Sequence, residues 1–139
     1  MDKKDILLLI DKAIDASKFS HSPYSNFKVG AALKTKEGRI YTGCNIENAS
    51  FGLTICAERT AIFKAISEGE HDFAAIAVYA DTGANHISPC GACRQIISEF
   101  CPNAEVIMCN GEKNYRIMTP GQLLPFSFGD KDLKKPTIG

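Results

Sequence analysis

The segment 74–80 restricts the fold more than any other part of this sequence, because nearly all of its residues are apolar. A strand with one face in water alternates apolar and polar residues, whereas a strand covered on both faces is apolar along its length. The run therefore suits a strand buried on both faces of a parallel sheet, with helices packed on either side of it.

The other segments alternate between helical and strand patterns. Helical spacing of apolar residues covers 2–20, 55–67 and a segment that begins at Ser88. Strand patterns cover 27–35, 40–47, 104–109 and 115–118. Ser88 is the expected N-cap of its helix with Pro89 at the first helical position, and Thr119 to Gln122 has the spacing of a capping box. This order predicts an α/β fold, a three-layer α/β/α sandwich with a mixed sheet, and the 139 residues fit a single domain over 1–139.

Charge and apolar runs argue against two classes of partner. The 16 Lys and Arg residues balance 16 Asp and Glu residues, so the chain has no net field that would attract a nucleic acid polymer. The longest strongly apolar run is Ile6–Ile10, whereas a membrane span needs about 20 residues and a signal-peptide core about 7–15. We therefore expect a protein that neither enters a membrane nor is exported.

The chain has six cysteines and no recognisable secretory signal. This combination is typical of a reducing compartment, where thiols persist and clustered thiols serve as metal ligands or redox groups. We expect a cytoplasmic protein without a disulfide framework.

Three of the cysteines fall at two predicted helix starts. Cys90 and Cys93 are three residues apart, which on a helix places their Cβ atoms about 5–6 Å from each other. Two sulfurs on one tetrahedral zinc ion are roughly 3.8 Å apart, so this pair can chelate. Cys56 begins the other helix, and a helix N-terminus stabilises the thiolate form that a metal needs. Three protein ligands with the fourth position left to water is the arrangement of catalytic zinc.

Glu58 and Arg59 follow Cys56 directly. Residues two apart on a regular helix do not share a face, so Glu58 is placed to act beside the metal rather than as its ligand. A carboxylate there can carry a proton between water and substrate. Three thiolates on Zn²⁺ leave one net negative charge, and the Arg59 guanidinium can offset it by hydrogen bonding to the sulfurs.

Two other interpretations of the cysteines remain open at this point. A closed structural zinc site needs a fourth ligand, and the three histidines, His21, His71 and His86, do not recur at ligand spacing. Cys90 and Cys93 also fit a dithiol redox motif, which would make the chain a non-catalytic zinc or dithiol module and leave Cys56 and Glu58 without a role.

The combination of Cys56-Ala57-Glu58 with Pro89-Cys90-Gly91-Ala92-Cys93 matches the signature of zinc-dependent nucleobase deaminases in an all-cysteine form. The sequence closely resembles the small cytidine deaminases of nucleoside salvage. The likeness extends over nearly the whole chain, through segments 27–32, 45–50, 56–61, 89–95 and 123–125. It implies hydrolysis of cytidine or 2′-deoxycytidine to the uridine product and ammonia, one Zn²⁺ per subunit, and a homotetramer whose active sites borrow residues from neighbouring subunits.

The resemblance also implies roles for individual residues. It makes Cys56, Cys90 and Cys93 the zinc ligands and Glu58 the proton shuttle. Asn45 and Glu47 look like a clamp on the ribose, and Phe27 looks like an aromatic wall for the pyrimidine. The remaining substrate contacts implied are backbone groups of Ala57, the aromatic ring of Phe128 near the C-terminus, and the loop residues Ala49 and Phe51, which this family often lends to an adjacent active site.

One rival lies within the same enzyme class. Deaminases of cytosine-containing antibiotics of the blasticidin type resemble this family around the zinc. The acidic ribose-clamp position, occupied here by Glu47, is not matched in that type, which favours a nucleoside substrate.

Overall fold

The computed structural model describes residues 1–133 and places the apolar segment at the centre of a five-stranded sheet. In chain order the strands are β1 (Val29–Thr35), β2 (Ile40–Cys44), β3 (Phe73–Ala80), β4 (Glu105–Cys109) and β5 (Tyr115–Met118). Their spatial order is β2-β1-β3-β4-β5. Only the β3–β4 pair is parallel among these strands, so the sheet is mixed, as predicted.

Helices cover both faces of this sheet. They are α1 (Lys3–Ser17), α2 (Ala57–Ser67), α3 (Gly91–Phe100) and the short α4 (Pro120–Leu123). On one face Leu9 and Ala13 of α1 pack in a cluster with Ile107. On the other face α2 and α3 contribute Ile62 and Ile97 to a second cluster. The three-layer α/β/α prediction is confirmed, and β3 lies between the two clusters because both of its faces are apolar.

Two glycines allow the helices to approach the sheet closely. A Cβ atom on Gly43 of β2 would lie 2.6 Å from the Ala57 carbonyl oxygen and 2.6 Å from the Ala61 nitrogen, so α2 rests on the backbone of β2. A Cβ atom on Gly30 of β1 would lie 1.9 Å from the Ala13 carbonyl oxygen, on the α1 side. Only glycine fits either contact without a shift of the helix.

The start of α3 differs from the sequence prediction. Its N-cap is Cys90 rather than Ser88, since the Cys90 sulfur accepts a hydrogen bond from the Cys93 N–H at 3.4 Å. Pro89 lies before the helix, where the Arg94 side chain binds its carbonyl oxygen at 2.9 Å. Placing Ser88 as the cap was wrong, because proline at the first helical position is only a general preference. Here Cys90 caps the helix, while Pro89 lies outside it with its carbonyl oxygen bound by the Arg94 side chain, five residues further on.

The end of the second predicted strand also differs. β2 ends at Cys44, and Ile46 instead forms isolated bridges with His21 and Ile55. The predicted capping box of Thr119 and Gln122 is present at the start of α4.

None of the helices in residues 1–133 has the length and apolarity needed to cross a bilayer. The single domain expected over 1–139 includes residues 134–139, which lie outside the described part of the chain.

Candidate functional site

Three cysteine sulfurs converge where α2 and α3 begin. Cys56 is the N-cap of α2 and Cys90 is the N-cap of α3, both in extended backbone conformation. The Cys56 and Cys90 sulfurs are 3.7 Å apart, and the sulfurs of these two residues and Cys93 all lie within 4.8 Å of one another. Cys90 and Cys93 meet because an N-cap side chain faces the third helical residue, not because both lie inside the helix.

This donor set fits zinc. Two sulfurs bound to a tetrahedral zinc ion are roughly 3.8 Å apart, close to the Cys56–Cys90 spacing. Within residues 1–133, no fourth His, Cys, Asp or Glu joins the group. All three residues are free cysteines.

Of the three thiols, Cys56 is the one whose ionisation is favoured by hydrogen bonds. The Cys93 thiol and the Arg59 guanidinium, whose Nη2 is 3.3 Å from the sulfur, both donate to Cys56 and lower the pKa of this thiol to about 5. The hydrogen bond to Cys56 and burial raise the pKa of Cys93. A metal ion that displaces the protons on these sulfurs would therefore bind where the environment already favours the thiolate form of Cys56.

Glu58 is the second residue of α2 and is 4% exposed. Burial raises the pKa of its carboxyl group to about 7, because a desolvated carboxylate is disfavoured. A carboxyl group that titrates near neutrality can both accept and release a proton at physiological pH.

A cavity of about 200 Å³ opens beside these residues. It lies at the carboxyl end of β3, represented by Val78 and Ala80, which is where ligands bind in open α/β sheets. Six residues of the predicted site line it: Phe27, Asn45, Cys56, Ala57, Glu58 and Cys90. The lining of one cavity thus contains Phe27, the expected aromatic wall for the pyrimidine, together with Glu58 and two of the three cysteine ligands, Cys56 and Cys90.

Asn45 is held firmly at the cavity. Its Oδ1 accepts hydrogen bonds from Ser20 Oγ at 2.5 Å and from the Val29 N–H at 3.0 Å, while its Nδ2 donates to the Phe27 carbonyl oxygen at 2.7 Å. An amide nitrogen carries two hydrogens, so one remains for a ligand hydroxyl.

Glu47 lies on a neighbouring hollow of about 390 Å³ that shares Thr54 with the cavity. Hydrogen bonds from Ser25 and Tyr24 lower the pKa of Glu47 and keep the carboxylate ionised. Phe51 lines the same hollow, with its ring edge-on to Tyr24 at a centroid distance of 5.8 Å.

Two of the predicted substrate-binding residues lie outside both hollows. Ala49 is exposed in the loop before Phe51, and Phe128 is half-exposed with its carbonyl oxygen bound by Gln95 Nε2 at 2.6 Å. Within one chain, neither contributes to the lining of the cavity.

Sequence reasoning missed several contributors to the site, among them Val78, Ala80 and Arg94. Val78 and Ala80 alternate along β3, and the carboxyl end of a predicted parallel strand was the signal that could have identified them. Arg94 binds Pro89, the Ser88 hydroxyl at 3.0 Å and the Leu123 carbonyl oxygen at 2.8 Å, and so fixes the approach to Cys90. No local pattern marks that role.

The chain is similar to known proteins over most of its length. The family described as "cytidine and deoxycytidylate deaminase zinc-binding region" matches residues 3–109. A cytidine deaminase of Halalkalibacterium halodurans is 50% identical over 130 residues, which is 93% of this chain and 98% of that protein. A cytidine deaminase of Mycobacterium tuberculosis is 37% identical, with 97% of this chain and 98% of that protein covered.

Solved structures agree with the sequence relatives. The crystal structure of cytidine deaminase from Burkholderia pseudomallei superposes with a TM-score of 0.85 at 47% identity and covers 92% of this chain and all of that one. The crystal structure of cytidine deaminase from Mycobacterium tuberculosis gives 0.78 at 36% identity, with 90% and 98% covered. The family match covers 107 of the 139 residues, and the Halalkalibacterium halodurans protein is 50% identical to this chain. The chain therefore belongs to the cytidine and deoxycytidylate deaminase family.

Proposed function

We propose that this protein hydrolyses cytidine and 2′-deoxycytidine to uridine and 2′-deoxyuridine with release of ammonia. The observation that carries the proposal is the convergence of three cysteine sulfurs and a buried carboxyl group on one cavity. One water is consumed and one ammonia released per substrate, so no organic cofactor is needed.

Cys56, Cys90 and Cys93 hold one zinc ion per chain in this proposal. When bound, zinc acts as a Lewis acid that makes water nucleophilic near neutral pH. Arg59 donates to the Cys56 sulfur and draws charge from a ligand set that would otherwise be one unit negative.

Glu58 moves the protons. Its carboxylate accepts a proton from the attacking water and delivers it to N3 of the base, which makes C4 more electrophilic. The water oxygen bonds to C4, its remaining proton passes through the same carboxyl group to the amino nitrogen, and the C4–N bond breaks to release ammonia and leave the C4 carbonyl of uridine. A pKa near 7 suits both transfers, because the group changes protonation state at little cost.

The pyrimidine base of the nucleoside binds in the cavity beside the cysteines, and the sugar lies toward the neighbouring hollow. A cavity of about 200 Å³ is smaller than the about 300–1,000 Å³ typical of drug-sized ligands, so it suits a pyrimidine base rather than a whole nucleoside. Phe27 forms its wall, and Ala57 offers backbone groups at the start of α2. The sugar lies between this cavity and the hollow of Glu47, so that the Asn45 amide of the cavity and the Glu47 carboxylate of the hollow both bind its hydroxyl groups.

Assembly, compartment and pathway complete the proposal. Phe51 and Phe128 are exposed, at 73% and 51%, and with Ala49 they are suited to act on a neighbouring chain's site in a homotetramer. Six free thiols suit the reducing cytoplasm, and the nucleoside substrate suits pyrimidine salvage.

The named relatives are cytidine deaminases, which does not favour the antibiotic deaminase or the non-catalytic zinc or dithiol module. The test is ammonia release by the purified protein from cytidine, 2′-deoxycytidine and blasticidin S under identical conditions. We expect turnover of both nucleosides. Faster release from blasticidin S would overturn the substrate, and no release from any of the three would overturn the enzymatic function.

A further inference from the structure

A tight turn between α1 and β1 lies directly against the two hollows. The Asn26 N–H donates to the Ser22 carbonyl oxygen at 2.9 Å, and Asn26 adopts a left-handed backbone conformation with φ of 56°. Residues other than glycine seldom take this conformation, and it often marks a functional segment. The turn is followed at once by Phe27, the proposed wall of the base.

Ser25, in the same turn, has its hydroxyl group between Phe27 and Glu47. Its Oγ donates a hydrogen bond to Glu47 Oε2 and accepts one from the Phe27 N–H at 3.0 Å. A serine hydroxyl has a single hydrogen, which is committed here to the carboxylate. One side-chain atom thus joins the residue proposed for the base to the residue proposed for the sugar.

The contacts also determine which part of the Glu47 carboxylate remains available. Oε1 accepts from the Tyr24 N–H at 3.0 Å and from the Ser25 N–H at 3.1 Å, and Oε2 accepts from the Ser25 hydroxyl. A carboxylate has about four lone-pair positions, so three are occupied and one on Oε2 is left for a ligand. The Ser25 hydroxyl therefore sets the direction in which Glu47 can bind.

We propose that Ser25 is a positioning residue that orients the Glu47 carboxylate toward a sugar hydroxyl and fixes its distance from the Phe27 wall. This inference rests on the proposed function, since it assigns Ser25 a role in binding the nucleoside sugar. Ser25 acts through Glu47 and Phe27 and takes no part in the proton transfers.

Apart from the Phe27 N–H, the backbone around Ser25 is held by bonds that do not involve its hydroxyl group. The Glu47 N–H donates to the His21 carbonyl oxygen at 2.8 Å, and the His21 N–H donates to the Asn45 carbonyl oxygen at 3.1 Å. These bonds, with Asn26 to Ser22, tie the turn to the end of β2 by main-chain atoms alone. Removal of Oγ should therefore leave the fold intact while it frees the carboxylate to rotate.

The test compares Ser25→Ala, Ser25→Thr and a control, Ser67→Ala, on cytidine and on 2′,3′-dideoxycytidine, which lacks both ring hydroxyls of the sugar. Ser67 is exposed at the end of α2, and its hydroxyl bonds only the Lys64 carbonyl oxygen in the described structure. We expect Ser25→Ala to raise KM for cytidine about 10-fold with kcat unchanged, the effect of one charge-assisted hydrogen bond. KM for the dideoxy analogue should stay as in the wild type, Ser25→Thr should restore most of the loss, and Ser67→Ala should behave as wild type.

A double-mutant cycle with Glu47→Gln identifies the route of the effect. If Ser25 acts through the carboxylate, Ser25→Ala should add no further increase of KM in the Glu47→Gln background. An equal loss on both substrates, with or without a fall in thermal stability, would assign Ser25 to the scaffold and overturn the inference, as would an unchanged KM for cytidine. Wild-type protein that fails to deaminate cytidine would instead overturn the proposed function, so the two failures are distinguishable.

Discussion

At the scale of single residues, the chemistry of the site depends on groups whose neighbours change their protonation. Burial holds the pKa of Glu58 near 7, and hydrogen bonds from Cys93 and Arg59 bring that of Cys56 to about 5. The Glu58 carboxyl group is thereby suited to exchange protons, and the Cys56 sulfur is suited to bind a cation. These two roles are separable by mutation because Glu58 is not among the three sulfur donors.

Glu58→Ala should abolish most of the activity and retain the metal. We expect turnover of cytidine to fall by about 10²–10⁴-fold, the range for removal of a general acid and base. Zinc content, measured by atomic absorption, should remain at one per chain. Loss of zinc from this variant, or turnover like that of the wild type, would contradict the role of Glu58.

Lys113 tests backbone strain at a residue that lines neither hollow. It is exposed in the turn between β4 and β5 and has φ of 62°, a left-handed conformation that costs a side-chain-bearing residue about 1–2 kcal/mol. Lys113→Gly should therefore raise the free energy of unfolding by up to about 1 kcal/mol, whereas Glu112→Gly in the same turn should lower it by about 0.5–1 kcal/mol. Urea denaturation of both variants measures the difference, and equal destabilisation would contradict the strain.

At the scale of secondary structure elements, the site depends on how α2 and α3 are seated. Both helices present an N-cap cysteine, so a shift of either helix moves a sulfur. The position of α2 is set by Gly43, over which the Ala57 carbonyl oxygen and the Ala61 nitrogen come close.

Gly43→Ala should displace α2 and with it Cys56 and Glu58. We expect a loss of about 1–3 kcal/mol of stability, as for other overpacked contacts, together with weaker zinc binding in competition with a chelator. Gly30→Ala is the matched control, since its added methyl meets α1 on the opposite face of the sheet. It should lower stability without weakening zinc binding. Equal zinc affinity in the two variants would contradict the link between β2 and the metal site.

Element types and the cysteine trio could be predicted from sequence because they depend on local signals. Apolar runs revealed the strands, and motif spacing indicated Cys56, Cys90 and Cys93. The sheet order could not be predicted in this way, because it depends on pairing between strands that are distant in the chain. The N-cap of α3 could not be predicted either, because the Arg94 side chain binds both Pro89 and the Leu123 carbonyl oxygen, and the second of these contacts is long-range. The bond between Ser25 and Glu47 joins residues 22 positions apart and leaves no periodic pattern at either of them.

At the scale of the whole molecule, a bound zinc ion would join the starts of two helices that are separated along the chain by β3. Cys56 brings α2 to the site, whereas Cys90 and Cys93 bring α3. Ligand binding to the native state alone stabilises it by mass action, and a metal held by groups from two elements couples their unfolding.

Removal of the metal should therefore lower thermal stability. Zinc at about 1,000 times its Kd adds about 4 kcal/mol to the free energy of unfolding, so a chelator should lower the Tm by about 10 °C or more. Differential scanning calorimetry with and without the chelator measures this, and Cys93→Ser should remove most of the difference. An unchanged Tm in the wild type after verified metal removal would contradict the coupling.

We propose that three cysteine sulfurs hold a zinc ion and that Glu58 acts beside it to deaminate cytidine. The most direct measurement follows cytidine by ultraviolet absorbance with purified protein in which zinc has been quantified, before chelation, after chelation and after zinc is restored. We expect conversion to uridine in proportion to the zinc bound, loss of conversion on chelation and its recovery when zinc is added back. Conversion that is independent of zinc content, or zinc-loaded protein without conversion, would contradict it.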